Sequence, residues 1–321
     1  MTEKKKSIRG EYGKTLALLG EKYQDIVVLD ADLSGSTKTG VFARKFPDRF
    51  FNMGVSEQDM IGTAAGLACV GKIPFVSTFA IFATGRAWEP VRQSVAYSKV
   101  NVKIVASHGG VTVGEDGGSH QSVEDIGLMR ILPNMTVIVP ADATEMRKAL
   151  EWAVDYNGPV YVRSSRIEFP CLYDDAYAFT IGKGDVVRDG MDATIVACGY
   201  MVHQALAAGD LLAKRGIRAR IINMSTIKPL DTALLIEAAR ETGGIVTAEE
   251  HSVIGGLGSA VAETVSEEYP VPIKRIGVPD QFGTSGSPNE LLAYFGLTPV
   301  DIEHAVLDVL KLKERKQISA P

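Results

Sequence analysis

Three segments of the sequence concentrate side chains able to do chemistry. The richest is Ser107-His108-Gly109-Gly110-Val111-Thr112-Val113-Gly114-Glu115-Asp116-Gly117-Gly118-Ser119-His120-Gln121, with five glycines, two histidines and two acids in fifteen residues. Ordering such a loop costs conformational entropy that a mere connection does not need, which points to a ligand. His108 and His120 stand twelve apart with no other His or Cys nearby. That is a poor metal signature, so they read as polar contacts to a substrate, and no metal ligands are assigned.

The second segment is Asn52-Met53-Gly54-Val55-Ser56-Glu57-Gln58-Asp59-Met60. Ser56 and Asp59 predict a capping box, which places Glu57 in the first helical turn. Glu57 there either complements the helix dipole or is an acid held for chemistry. Gly54, Gly62, Ala64, Ala65, Gly66 and Ala68 make this helix thin-walled, open to another backbone or a flat ligand. The third segment, Ser77-Thr78-Phe79-Ala80-Ile81-Phe82, puts two aromatics three apart just past a strand, at the usual ligand-facing edge of a parallel sheet. Core packing is the competing reading for Phe79 and Phe82.

These segments need elements to position them. Short Val- and Ile-rich runs alternate with amphipathic stretches, the pattern of parallel strands buried by crossover helices. The runs predict strands at Ile26–Asp30, Ile73–Ser77, Val102–Ser107, Thr136–Val139 and Val160–Val162, then at Ala193–Ala197, Arg218–Ile222, Gly244–Thr247 and Ile273–Ile276. Ile8, Tyr12, Leu16, Leu19 and Tyr23 recur at helical spacing. The rhythm breaks after Ser164, where Pro170, Tyr173, Asp174, Asp175, Gly182, Gly184 and Gly190 favour turns. The expected fold class is therefore α/β, with two open, doubly wound, mostly parallel sheets: a first domain over residues 1–165, a linker over 166–191 and a second domain over 192–321.

With 34 Lys+Arg against 39 Asp+Glu the net charge is −5, which argues against a nucleic-acid partner. Cys69, Cys171 and Cys198 are too scattered for a disulfide framework and fit a reducing cytoplasm. No apolar leader follows the lysine-rich stretch Met1–Arg9, and no run approaches the roughly 18 apolar residues that span a bilayer, so neither export nor membrane insertion is expected. The charged run Lys311–Lys316 reads as a solvated helix end. Gly13-Lys14-Thr15 lacks the first glycine of a phosphate loop, Ile8 standing in its place, and Gly255-Gly256-Leu257-Gly258 reads as a tight turn.

Taken in order, Val55-Ser56-Glu57-Gln58, Ser77-Thr78-Phe79-x-x-Phe82 and Gly114-Glu115-Asp116-Gly117-Gly118-Ser119-His120-Gln121 resemble the pyrimidine-binding domain of transketolases. The likeness runs from about Ser7 to about Leu312 and includes the family's C-terminal domain. Transketolases hold the diphosphate of thiamine diphosphate, and its Mg²⁺, through a Gly-Asp-Gly motif in a preceding domain, and this sequence has none. The resemblance therefore implies the C-terminal subunit of a split transketolase. A separately encoded N-terminal subunit would supply the diphosphate and Mg²⁺ site, most simply in a heterotetramer of two and two.

The resemblance also assigns roles. Glu57 matches the glutamate that contacts N1′ of the aminopyrimidine and promotes its imino tautomer, and Phe79 and Phe82 match the aromatics flanking that ring. A tyrosine frequent three positions further on is Gly85 here, with Trp88 the nearest aromatic replacement. Asp32 matches an acid near the cofactor and Asp116 one near the substrate hydroxyls. Arg9, Ser36, His108 and Arg166 match contacts to a substrate phosphate, although Arg9 also reads as a solvated charge of a basic tail. His120 matches a catalytic histidine that hydrogen-bonds the substrate near its carbonyl. The implied reaction moves a two-carbon ketol unit from a ketose phosphate to an aldose phosphate. The nearest rival is the β subunit of the first component of a 2-oxo acid dehydrogenase, against which stand the Gly114–His120 run and Arg166. Deoxyxylulose-phosphate synthase normally carries all its domains in one chain. A non-catalytic interaction protein on the same fold is the alternative from another class.

Overall fold

The structure, a computed structural model, describes residues 5–318, with side chains to residue 315. The first four residues of the lysine-rich start and the Lys316 side chain of the C-terminal run lie outside the described residues. The strands are β1 (Lys5–Ser7), β2 (Ile26–Asp30), β3 (Phe50–Asn52), β4 (Ile73–Ser77), β5 (Lys103–Ala106), β6 (Thr136–Ile138), β7 (Val160–Arg163), β8 (Glu168–Pro170), β9 (Asp185–Arg188), β10 (Ala193–Ala197), β11 (Ala219–Asn223), β12 (Thr226–Lys228), β13 (Ile245–Ser252) and β14 (Ile273–Val278). They form a seven-stranded sheet ordered β12-β6-β7-β5-β4-β2-β3, a five-stranded sheet ordered β14-β13-β10-β11-β9, and a small β1-β8 pair. Both large sheets are parallel except at one edge, where β12 and β9 run antiparallel.

The reason is legible in β2. All five of its residues are buried, and they alternate: Ile26 and Val28 enter a core with the helix Ile8–Lys22, while Val27 and Leu29 enter a core with the helix Glu57–Cys69. A strand covered on both faces needs such an unbroken apolar run. The predicted helix has Ile8, Tyr12, Leu16 and Leu19 buried, and Ser7 caps it by accepting the Gly10 N–H.

Three features depart from the sequence expectations. The break over 166–191 contains β8 and β9, and β12, from the second half of the chain, joins the first sheet. These strands are short and take their partners from distant segments, so no local pattern marks them. The capping box expected at Ser56 is absent, for its side chain makes no cap hydrogen bond. Asp59 is one methylene shorter than the Glu or Gln the motif needs. The box forms instead between Ser287 and Glu290.

Lys103 is fully buried and donates to the carbonyls of Tyr156 (2.6 Å) and Gly158 (2.8 Å). Lys103→Met strips both carbonyls of their donor and should destabilise the chain by about 2–4 kcal/mol. Urea unfolding tests this; an unchanged midpoint would mean the lysine is dispensable. Among the described residues no helix is long and apolar enough to cross a membrane.

Candidate functional site

The chemically equipped segments converge beyond the carboxyl ends of β2, β4, β5 and β7, where ligands of open parallel sheets bind. Past β2, Asp32 takes a left-handed backbone (φ 62°), is exposed and accepts from the Asn52 amide at 2.9 Å. Arg9 is not in a free tail. It lies in the first turn of the helix Ile8–Lys22, half-buried, and its Nη1 donates to the Ser36 carbonyl at 2.8 Å. The Arg9 Nε is buried with no hydrogen-bond partner among the described residues. Burial, and after it the Arg166 guanidinium nearby, lowers the Arg9 pKa. Two like charges held near one another in this way raise the local positive potential.

His108, past β5, also has a left-handed backbone (φ 62°). It is buried, shares a 2.8 Å hydrogen bond between Nδ1 and the Ser107 hydroxyl, and stacks on Phe79 with ring centres 3.7 Å apart. Burial first, then Arg9, Arg166, His120 and Lys38, pushes its pKa down to about 3. The ring is thus neutral at physiological pH and offers a hydrogen bond, not a charge. The folded form binds a proton more weakly than the unfolded chain, so His108 contributes stability that is complete above the usual histidine range and is lost as pH falls toward 3. Its NMR ring signals should not titrate between pH 5 and 8; a midpoint in that window would contradict its burial.

Arg166 donates to the Val113 carbonyl and pairs with Glu115 (3.3 Å) and Asp116 (3.6 Å). Asp116 is thereby placed against the guanidinium as well as toward solvent. His120 shares a 3.0 Å hydrogen bond with the Ser119 hydroxyl and meets the rings of Phe79 and Phe82 edge-on, at 6.1 and 5.5 Å. Phe79 and Phe82 lie nearly parallel, 13° apart with centres at 5.9 Å.

Glu57 opens the helix Glu57–Cys69 with its side chain 1 % exposed. Both carboxylate oxygens accept from Nη1 of Arg86, at 3.0 and 3.1 Å, and the Arg86 guanidinium lies 4.5 Å over the Phe82 ring. Sequence reasoning missed Arg86. Its position four residues after Phe82, within the π-helical turn Phe82–Arg86, was the available clue. Trp88 does not turn to the place left by Gly85: its indole N–H is committed to the Leu128 carbonyl at 3.0 Å and its ring packs on the core. A Cβ at Gly85 would meet Ile81 at the ordinary contact distance of 3.6 Å, so a small side chain would be tolerated there.

The second domain braces the glycine-rich loop. From β13, Glu250 accepts the Thr112 N–H at 2.6 Å, and a Cβ at Gly110 (φ +88°) would collide with that carboxylate. Arg163 is buried between the Glu250 carbonyl, the Ser122 carbonyl and Asp125, the last at 2.8 Å. The Gln121 amide donates to the Thr284 carbonyl at 2.9 Å.

A carboxylate beside an aromatic face, already holding one flat cationic group, fits a planar nitrogen-bearing ring such as an aminopyrimidine. The buried Thr78 hydroxyl, without a hydrogen-bond partner among the described residues, adds an unused polar atom just past β4. Residues 4–170 match the transketolase pyrimidine-binding domain and residues 182–302 the transketolase C-terminal domain. A protein of Methanocaldococcus jannaschii named as a transketolase C-terminal section is 51 % identical over 95 % of this chain and 97 % of its own length. A 6-deoxy-6-sulfo-D-fructose transketolase subunit of a Clostridium species is 43 % identical over 95 % of each chain. A solved structure described as a split-gene transketolase, an inactive β4 tetramer, superposes with a TM-score of 0.88 at 52 % identity, covering 96 % of this chain and 99 % of its own. With both domains matched in order, this chain belongs to the transketolase family.

Proposed function

We propose that the chain is the C-terminal subunit of a two-subunit, thiamine diphosphate-dependent transketolase, which moves a two-carbon ketol unit between a ketose phosphate and an aldose phosphate. The observation carrying this reading is the buried Glu57 carboxylate, joined through Arg86 to the face of Phe82, on a sheet edge that also carries Arg9, Arg166 and neutral His108. The carbon–carbon bond chemistry is supplied by thiamine diphosphate when it is bound. Glu57 holds a proton at the N1′ position of the aminopyrimidine, and its burial keeps water from competing for that proton. Phe82, with Phe79 behind it, fixes the ring plane, where stacking adds about 0.5–1.5 kcal/mol beyond burial. Asp32 would stand near the bound cofactor.

Arg9 and Arg166 clamp the substrate phosphate beside Ser36, His108 donates or accepts one neutral hydrogen bond, and Asp116 and His120 orient the sugar hydroxyls and carbonyl. The binding energy of the phosphate thereby positions the reacting carbons. The diphosphate and Mg²⁺ belong to an N-terminal subunit, in a heterotetramer. The relatives support this division: one is named for a C-terminal section alone, and the split-gene β4 tetramer is described as inactive. The sulfofructose relative favours an anionic sugar as substrate.

Reconstitution decides the matter. Mixed with the N-terminal subunit, thiamine diphosphate, Mg²⁺, xylulose 5-phosphate and ribose 5-phosphate, the chain should show ketol transfer in a coupled assay, and alone it should show none. Full activity from the isolated chain, or none from the complex with any phosphorylated or sulfonated ketose, would overturn the proposal.

A further inference from the structure

One residue engages both groups that would hold the coenzyme ring. Arg86 gives a hydrogen bond to each oxygen of Glu57 and lays its guanidinium on Phe82. Its own carbonyl accepts from the Gln58 amide at 3.0 Å, which pins this turn to the helix that begins with Glu57. A guanidinium is flat, delocalised and edged with N–H donors, so it shares with a protonated aminopyrimidine the features that a carboxylate and an aromatic face recognise. We propose that Arg86 is an internal stand-in for the aminopyrimidine, which occupies its place on Glu57 and Phe82 and must swing out when the coenzyme binds, so that Arg86 sets coenzyme affinity. This rests on the proposed thiamine diphosphate function.

The exposures show which partner moves. The Arg86 side chain is 48 % exposed and the Glu57 side chain 1 %, so the arginine can turn into water while the carboxylate cannot. Gly85, where a Cβ would meet Ile81 at the ordinary contact distance of 3.6 Å, precedes Arg86 and places no bulky side chain beside it. The physical need for a stand-in follows from burial. A carboxylate out of water without a partner is costly, so the chain lacking coenzyme is stabilised by the arginine, and the incoming ring replaces that contact. Binding is then an exchange of partners on Glu57, with its net free energy reduced by whatever the arginine contact was worth.

Calorimetric titration of thiamine diphosphate, with Mg²⁺ present, into the two-subunit complex tests this, comparing the native chain with Arg86→Met. Methionine keeps an apolar cover for Phe82 and cannot bond Glu57. The variant complex should bind the coenzyme about three- to tenfold more tightly, the range of a half-exposed charge-assisted pair. In the chain without coenzyme, Arg86→Met should lower the melting temperature, and in a Glu57→Gln background the same change should lower it clearly less. Equal or weaker coenzyme binding by the variant, or identical melting shifts in both backgrounds, would overturn the proposal. A native complex that takes up coenzyme while the variant binds no tighter removes only the stand-in role. A native complex that takes up none removes the thiamine diphosphate reading, and this inference falls with it.

Discussion

Glu57→Ala in the reconstituted complex should lower the rate of ketol transfer by about 10²- to 10⁴-fold, the range for losing a positioned acid or base. Assembly should be retained. The substitution removes a buried carboxylate whose side-chain partner among the described residues, Arg86, is half-exposed and can be rehydrated, so no buried charge is left behind. Glu57→Gln sharpens the test. It preserves the shape and a hydrogen bond while removing the group that can exchange a proton, so its rate should stay near that of the alanine variant. Turnover is read in the coupled sugar-phosphate assay and assembly by gel filtration. Near-native turnover in either variant would remove Glu57 from the mechanism, and loss of assembly would make it a structural residue.

The second large effect lies between the domains. Arg163→Met should destabilise the chain by about 3–5 kcal/mol, as expected when one member of a buried ion pair is removed. The Arg163 and Asp125 side chains are 6 % and 0 % exposed, and the Arg163 guanidinium also satisfies the carbonyls of Ser122 and Glu250. Methionine would leave a buried carboxylate supported mainly by the Tyr161 hydroxyl at 2.7 Å, together with two carbonyls lacking their donor. Because Glu250 also holds Thr112, the damage should reach the glycine-rich loop that carries His108, Asp116 and His120. The expected readouts are a lower denaturation midpoint and, in the complex, a raised KM for the sugar phosphate. A loss under 1 kcal/mol would show that water or a rearranged loop replaces the arginine.

This brace gives the second domain a role at the site that its own sequence does not announce. Glu249, Glu250 and His251 extend β13 past the expected end at Thr247, and a run of two glutamates and a histidine is of residue types that usually face solvent. In the fold it is buried. Glu249 accepts the N–H groups of Leu257 and Gly258 at the start of the helix Leu257–Glu268, and the His251 Nε2 accepts the Gly127 N–H of the first domain. The glycines of the Gly109–Gly118 loop, read from sequence as a ligand cradle, are therefore also required by close packing. A Cβ at Gly109 would strike Arg163, and one at Gly118 would strike the Gly283 carbonyl.

By itself the sequence determined the α/β class, the long central strands, the helix Ile8–Lys22 and the segments bearing Glu57, Phe79, Phe82, His108 and His120. Each of these depends on local periodicity or on a short ordered motif, which neighbouring residues carry without help from the rest of the chain. The tertiary structure alone decided that Arg86 faces Glu57 across 29 residues, that Glu250 grips Thr112 across 138, and that β12 leaves its own half to finish the first sheet. Such pairings depend on where packed sheets and helices bring distant segments together, and a buried charge chooses whichever partner that packing delivers.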